Sequence, residues 1–182
     1  MVPKWKPIHI LSVARDSIVR NPIGIKVGPK AEPDEIVALV KRLNPENEPG
    51  RITLIHRLGA ENAGDVLPDL IEPVQAANLK VLWVCDPMHG NTVTAESGKK
   101  TRRFEQVLRE LKTTFAVHRQ CNSRLGGVHL ELTGDDVTEC IGGSAGLTEQ
   151  DLETAYNTNC DPRLNYGQAM EIAFSIADEI SG

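Results

Sequence analysis

Four ionisable side chains stand at or just beyond the ends of apolar segments: Lys26, Arg57, His89 and Glu131. The stretch VLWVCDPMHGN, residues 81–91, shows the change clearly, because an apolar run leads directly into a cysteine, an aspartate and a histidine. In parallel α/β proteins, ligands bind at the C-terminal ends of the strands. Snorkelling of long cationic side chains would explain one or two of these residues, but not a histidine and a glutamate. The pattern therefore predicts a binding site built from strand ends.

The four side chains divide into two chemical groups. Lys26 and Arg57 are cations that we expect on neighbouring strands, where they suit a carboxylate or a phosphate group. His89 and Glu131 offer the nitrogen and oxygen donors that hold a borderline divalent metal. Asp161, in CDPRLN just before the last predicted helix, could add a third ligand. A histidine with two carboxylates is a common set for a divalent cation, although these three residues lie far apart in the sequence.

Basic residues also cluster in GKKTRRF, at Lys99, Lys100, Arg102 and Arg103. We expect them at the start of a helix, on the side of the sheet that carries the ligand. There they would bind phosphate together with the backbone N–H groups of the helix N-terminus. A solvated basic patch on a surface loop is the alternative interpretation.

The elements that must position these residues alternate between strand and helix. Apolar segments predict four strands, over residues 22–29, 51–60, 80–85 and 126–134. Helical periodicity follows each strand, from about Pro33, over 65–79, over 101–119 and over 165–180. Residues 1–20 are expected to form a leader and a helix, Ile8 to Arg20. Four strand–helix units are typical of parallel α/β architecture, and because no linker interrupts the pattern we expect one domain over residues 1–182.

Composition excludes several classes of function. The 182 residues are 40% hydrophobic and carry a net charge of −5, which argues against general nucleic-acid binding but permits a small anionic ligand at a local basic site. No apolar run approaches the roughly 20 residues that span a bilayer, and the N-terminus lacks the features of a signal peptide. The four cysteines have no CxxC spacing. We therefore expect a cytoplasmic protein with reduced thiols and no membrane contact.

Six stretches, taken in order, resemble one known family: NPIGIKVGP, TLIHRLGA, WVCDPMHGNT, GKKTRRF, HLELTGDDVTECIGG and CDPRLN. They are similar to the C-terminal half of type II 3-deoxy-D-arabino-heptulosonate 7-phosphate (DAHP) synthase, the first enzyme of the shikimate pathway of aromatic biosynthesis. The resemblance runs from about Ile8 to the C-terminus. It implies a metal-dependent condensation of phosphoenolpyruvate with erythrose 4-phosphate that releases inorganic phosphate.

The resemblance also implies roles for individual residues. It implies three ligands of a divalent metal, with Mn²⁺ expected and Co²⁺, Fe²⁺ or Zn²⁺ as alternatives: His89, Glu131 and Asp161. It implies four substrate-binding residues, the first three of them also catalytic: Lys26, Arg57, Lys100 and Arg102. These implied roles agree with the interpretation made from strand ends.

The family fold is a (β/α)8 barrel, and the four strands here resemble its fifth to eighth. A complete barrel takes at least roughly 200 residues, so four βα units would make half of one. The motifs of the family's first half, including its cysteine metal ligand, are missing from the sequence. Four parallel strands alone would expose two edges and an apolar inner face. We therefore expect another chain to complete the barrel, as a homodimer or as a separately encoded first half; a flattened helix-over-sheet sandwich is a third option.

Two other functions fit the same residues. One is a related metal-dependent lyase or transferase that acts on another substrate, since half of the specificity residues are absent. The other is a non-catalytic partner or regulatory half-barrel. The intact set of His89, Glu131 and Asp161 argues against the last interpretation, because a discarded site usually loses a ligand.

Overall fold

The computed structural model describes residues 21–181, so the helix expected over Ile8 to Arg20 lies outside the described residues. Four strands form one parallel sheet in the order β1–β2–β3–β6: β1 (Ile23–Val27), β2 (Ile52–His56), β3 (Val81–Cys85) and β6 (Leu125–Val128). Two short strands, β4 (Thr92–Thr94) and β5 (Lys100–Arg102), form a separate antiparallel hairpin. The described helices are α1 (Pro33–Leu43), α2 (Ala63–Ala76), α3 (Phe104–Gln120) and α4 (Tyr166–Ser181).

One face of the sheet packs against the helices, and none of the helices within residues 21–181 covers the other face. Side chains alternate between the two faces along each strand, and the helix-covered face buries Ile25, Leu54 and Trp83. The opposite face carries Lys26 and Leu82, and Leu82 remains 43% exposed. Parallel sheets are normally covered on both faces. The uncovered face is therefore unusual for a parallel sheet, and the four parallel strands are compatible with part of a barrel.

Helices α1, α2 and α3 each bury a largely apolar stripe of side chains. In α1, Pro33 occupies the start of the helix, acidic residues follow it and basic residues end it, an order that complements the helix dipole. Pro68 and Pro73 both lie inside the second helix, and α2 is continuous through them. Each proline removes one backbone donor, and burial of the apolar stripe offsets that loss. The stripe of α2 consists of Leu67, Leu70, Ile71 and Val74.

The parallel α/β prediction is confirmed, but two details of it are wrong. The strands are shorter than predicted, and the fourth ends at Val128 rather than at residue 134. The basic cluster does not open a helix, because Lys100–Arg102 pair with Thr92–Thr94 in the hairpin and α3 begins only at Phe104. The N–H of Phe104 donates to the carbonyl oxygen of Ile141 at 2.9 Å, so this N-terminal donor is already used.

The β6 edge of the sheet has further apolar surface. A groove of about 900 Å³ runs along β6 between α3 and α4. On α4, Phe174 is 65% exposed, and Tyr166 and Ile180 are exposed as well. Across residues 21–181, none of the helices combines the length and the apolar character needed to cross a bilayer.

Candidate metal and anion site

His89 lies in the loop after β3, and Asp86 fixes its ring. Asp86 directly follows β3 with a fully buried side chain, and its Oδ1 accepts hydrogen bonds of 3.1 Å from the backbone N–H groups of Met88 and His89. The Nδ1 of His89 lies 2.8 Å from Asp86 Oδ2. Because Nδ1 is engaged with this carboxylate, Nε2 is the nitrogen that remains for a ligand.

The three predicted metal ligands lie together at the C-terminal end of the sheet. His89 Nε2 is 3.5 Å from Glu131 Oε1 and 3.8 Å from Asp161 Oδ2. One donor atom from each residue belongs to a group whose atoms all lie within 4.8 Å of one another. All three side chains are partly exposed, so the group opens toward solvent. The fold thus brings together residues that are far apart in sequence, while their role as metal ligands stays a prediction.

A cation holds the second oxygen of each carboxylate. Arg102 Nη2 lies 2.7 Å from Glu131 Oε2, an ion pair whose atoms are not aligned as a hydrogen bond. Lys100 Nζ donates to Asp161 Oδ1 at 3.0 Å, and this bond holds the pKa of Asp161 below its usual range and raises the pKa of Lys100. The other oxygen of each carboxylate is the one that faces His89.

Arg102 ties together the loops that carry the ligand candidates. Its guanidinium is fully buried, and its Nε donates to the carbonyl oxygen of Met88 at 2.9 Å and to Thr92 Oγ1 at 3.0 Å. Its Nη1 donates to the carbonyl oxygen of Pro162, next to Asp161. The described contacts of Arg102 are thus to the protein itself. Its predicted role in binding substrate is not tested by them.

The two cations expected to hold an anion lie on the open face of the sheet. Lys26, in β1, donates to Asp86 Oδ2 and is 39% exposed. Arg57 directly follows β2, and its N–H donates to the carbonyl oxygen of Val27 at 2.8 Å. Strand alternation places the exposed Arg57 on the same face as Lys26. Burial would raise the pKa of Asp86, but hydrogen bonds from Lys26 and His89 outweigh it and lower that pKa to about 2.

A buried carboxylate on α3 braces the loops after β2 and β3. Glu110 Oε1 accepts hydrogen bonds from the backbone N–H groups of Leu58 and Gly59, at 2.9 and 3.1 Å. Its Oε2 accepts a bond of 2.6 Å from Asn91 Nδ2. Desolvation raises the pKa of Glu110 to about 7 despite these bonds. One side chain therefore fixes the loop that begins with Arg57 against the loop that contains His89.

The same two loops touch through glycines. A Cβ atom on Gly90 would lie 2.4 Å from the backbone nitrogen of Gly59, far inside van der Waals contact. Gly59 itself has φ of +83°, a conformation that L side chains rarely adopt. Only glycine at position 90 permits the close approach that holds His89 in place.

The loop that carries Asp161 is fixed by a second buried carboxylate. Glu139 Oε2 accepts bonds from Arg163 at its backbone N (2.7 Å) and its Nε (3.0 Å), and Oε1 accepts from Arg163 Nη2 at 2.6 Å. Oε1 also accepts a bond of 3.2 Å from the N–H of Asn157. Burial would raise the pKa of Glu139, but the bonds from Arg163 outweigh it and lower the pKa.

Sequence reasoning missed the carboxylates that position the site: Asp86, Glu110 and Glu139. For Asp86 a signal existed, since it directly follows an apolar strand, as a binding residue would. Glu110 carried a weaker signal, because it is the one acidic residue on the buried side of its helix. The cysteines, in contrast, meet expectation: all four are free, with Cys85 and Cys140 buried and Cys160 exposed.

Comparison with known proteins gives one family. Residues 10–177 match the model of the class-II DAHP synthetase family. A protein of Streptomyces coelicolor named phospho-2-dehydro-3-deoxyheptonate aldolase is 52% identical over 162 residues, which are 89% of this chain and 36% of the relative. Relatives of the same name from Mycolicibacterium smegmatis and Neurospora crassa are 47% and 49% identical, over 91% and 88% of this chain.

The similarity covers nearly all of this chain but only part of each relative. The chain spans about a third of the length of these curated relatives, with 36%, 36% and 34% of their residues aligned. The motifs that carry the site, from the segment around Lys26 to CDPRLN, fall within the matched residues. On these grounds the chain belongs to the class-II DAHP synthetase family.

Proposed function

We propose that this chain supplies the metal-binding and phosphoenolpyruvate-binding part of a DAHP synthase, which condenses phosphoenolpyruvate with erythrose 4-phosphate. The observation that carries the proposal is the arrangement around His89. Its Nδ1 is engaged with Asp86, and its Nε2 lies within 3.5 and 3.8 Å of one oxygen each of Glu131 and Asp161. The relatives' name, aldolase, describes an aldol-type reaction, and a divalent cation polarises a carbonyl in one form of that chemistry.

The donor set fits a divalent cation of the Mn²⁺ class. One imidazole nitrogen and two carboxylate oxygens suit Mn²⁺, Fe²⁺, Co²⁺ or Zn²⁺. The three donor atoms lie within 4.8 Å of one another although two of the residues are acidic, an arrangement that a bound cation would stabilise. A further ligand would come from water or from polypeptide outside residues 21–181. The bound cation would supply Lewis-acid polarisation of the aldehyde oxygen.

The chain's own cations would bind and orient the enol phosphate. Lys26 and Arg57 would hold its carboxylate and phosphate so that C3 faces the aldehyde carbon of erythrose 4-phosphate. Lys100 is exposed beside Asp161 and would lie against the substrate, with Arg102 behind it as the further substrate-binding candidate. C3 would bond to the aldehyde carbon, and a water molecule would add its hydroxyl group at C2 while its proton passes to the former aldehyde oxygen. The C2–O bond to phosphate would then break in the resulting hemiketal, which leaves a ketone and releases inorganic phosphate, so one water is consumed for each phosphate released.

We propose further that other polypeptide closes the barrel. The sheet within residues 21–181 has unpaired edges at β1 and β6 and an open inner face that includes the exposed Leu82. A second copy related by a two-fold axis along the barrel would pair β6 of one chain with β1 of the other, with all strands parallel. A first half-barrel carried on separate polypeptide would serve equally. Both arrangements cover the same surfaces.

Turnover with manganese tests the proposed reaction. Purified protein is incubated with Mn²⁺ and both substrates, and the loss of phosphoenolpyruvate absorbance is followed. We expect activity that His89→Ala and Asp161→Asn each abolish, because the first variant removes a nitrogen donor and the second replaces a charged carboxylate with a neutral amide. Asp178→Asn, an exposed change on α4, is the matched control and should retain full activity. Manganese binding without turnover, even when a candidate first half-barrel is added, would reject the synthase proposal in favour of a non-catalytic module or another substrate.

A further inference from the structure

A second group of potential metal ligands lies on the helix-covered side of the sheet. His56 and Cys85 are paired in register at the ends of β2 and β3, and Glu110 faces them from α3. One donor atom from each of the three residues lies within 4.8 Å of the others. All three residues are fully buried, unlike the partly exposed group around His89. The two groups therefore lie on opposite faces of the sheet.

His56 is the anomaly that points to a ligand. Both of its ring nitrogens are buried, and neither has a hydrogen-bond partner among the described residues. Buried polar atoms are nearly always hydrogen-bonded, so an imidazole with two unpartnered nitrogens calls for an explanation. Burial, followed by the nearby His118, lowers the pKa of His56 to about 3, so its ring is neutral and retains a lone pair. A neutral imidazole nitrogen is the form that binds a metal.

We propose that His56, Cys85 and Glu110 bind a structural divalent cation of the zinc class. Imidazole nitrogen, thiolate sulfur and carboxylate oxygen are the donor types that zinc uses. A thiolate and a carboxylate together carry two negative charges, so the complex with a divalent cation is electrically neutral and suits a buried position. Binding displaces the thiol proton of Cys85 to solvent, and also that of Glu110 where its carboxyl is protonated.

Neighbouring residues already contact Glu110 and Cys85 in the way that residues around a metal site contact its ligands. The carboxylate of Glu110 is oriented by the N–H groups of Leu58 and Gly59, and Thr114 Oγ1 lies 3.5 Å from the sulfur of Cys85. Bonds of this kind fix the direction of metal ligands. The donor atoms would have to draw in to the spacing of about 3.5 Å that zinc bond lengths of about 2.0–2.3 Å impose. The cation would then tie β2, β3 and α3 together beneath the strand ends that carry Arg57 and Asp86.

Metal analysis of the unmodified protein is the direct test. The protein is purified from zinc-supplemented cells and dialysed against a chelator, which empties the solvent-exposed group around His89. We expect about one zinc per chain to remain, because the buried group is shielded from the chelator. Cys85→Ser should lower the retained zinc at least about tenfold. Cys140→Ser removes an equally buried thiol outside the group and is the matched control that should keep the metal.

Cobalt separates the two groups by spectroscopy. Protein loaded with Co²⁺ during expression should show a thiolate-to-cobalt charge-transfer band in the near ultraviolet, which requires sulfur as a ligand. None of His89, Glu131 and Asp161 contains sulfur, so the band reports on Cys85. It should persist in His89→Ala and in Cys160→Ser, and disappear in Cys85→Ser. The proposal is overturned if the unmodified protein retains no metal and shows no band, or if the metal is lost with His89→Ala.

Discussion

Asp86 contacts both a candidate metal ligand, His89, and a candidate anion-binding residue, Lys26. Its carboxylate accepts hydrogen bonds from His89 Nδ1, from two backbone N–H groups and from Lys26. It therefore sets the direction of His89 Nε2, and it also positions the cation expected to meet phosphoenolpyruvate. A carboxylate behind a ligating histidine both orients the ring and raises its basicity.

Replacing that carboxylate should weaken metal binding without removing a ligand. For Asp86→Asn we expect Mn²⁺ affinity to fall by about 10–100-fold, because the amide cannot accept bonds from both His89 and Lys26. Isothermal titration with Mn²⁺ measures the change. Asp69→Asn, on the exposed side of α2, serves as the control and should bind Mn²⁺ as the unmodified protein does. Equal affinities for the two variants would exclude a positioning role for Asp86.

The chemical types of the residues were enough to predict part of this site. The other part is defined by contacts between segments that are distant in sequence. His89, Glu131 and Asp161 could be predicted because donor groups beyond apolar strands have few purely structural uses. Asp86 was not singled out, since an aspartate after a strand also suits a simple turn. Its importance comes from a contact with Lys26, 60 residues away in sequence. Contacts between residues so far apart in sequence are formed by the fold, and the local spacing of residues does not predict them.

At the scale of elements, α3 carries a buried histidine that makes stability depend on pH. His118 is 2% exposed, and desolvation lowers its pKa to about 4. In the unfolded chain its pKa is about 6.5. As the pH falls below about 6.5, the unfolded chain takes up a proton that the folded chain does not. The contribution of His118 to stability is therefore fully present above about pH 6.5, and it is lost progressively as the pH falls to about 4.

The titration of His118 should lower the free energy of unfolding by about 3 kcal/mol in total. Urea titrations between pH 7 and pH 4 should show it as a falling free energy of unfolding, and the fall should be shallower in His118→Gln. His129→Gln changes an exposed histidine and should leave the pH dependence intact. Identical pH profiles for unmodified protein and His118→Gln would show that the buried histidine is not the cause.

The contact between the loops after β2 and β3 should also contribute to the stability of the fold. Gly90→Ala places a Cβ atom 2.4 Å from the backbone nitrogen of Gly59, so the loops must separate. We expect a loss of about 1–3 kcal/mol in unfolding free energy, the usual range for overpacking. In the control, Gly28→Ala, the new methyl group meets no atom within 4 Å. Matching urea midpoints for both variants would mean that the loops accommodate the methyl group.

The periodicity of apolar residues predicted the long helices, but it did not predict the short strands β4 and β5. The apolar stripes of α1 and α3 repeat over several turns, which is enough to identify each helix. Three-residue strands such as β4 and β5 contain too little alternation to distinguish them from a loop. The basic residues of the hairpin were therefore assigned to a helix start. Pairing with Thr92–Thr94 is a contact between segments, and nothing in GKKTRRF alone indicates it.

For the whole molecule, the uncovered face of the sheet is the dominant feature. Within residues 21–181, β1 and β6 have no strand paired at their outer edges, and the groove beside β6 adds apolar surface from α3 and α4. Exposed edges and apolar patches of this kind mark association surfaces. The number of strand–helix units was readable from the sequence, and so was the expectation of an open face. Which polypeptide covers that face depends on surfaces beyond residues 21–181.

Light scattering on the purified chain decides whether a second copy covers the open face. If two chains close one barrel, the molar mass at micromolar concentration should be twice 19.9 kDa. Leu82→Lys puts a charge on the inner face and should give a monomer, because an unpaired ammonium group is costly to bury between the two halves. Val93→Lys changes a residue of similar exposure on the hairpin, 42% against 43%, and should leave the dimer intact. A monomeric mass for the unmodified chain would rule out the homodimer and leave a separate first half-barrel as the covering partner.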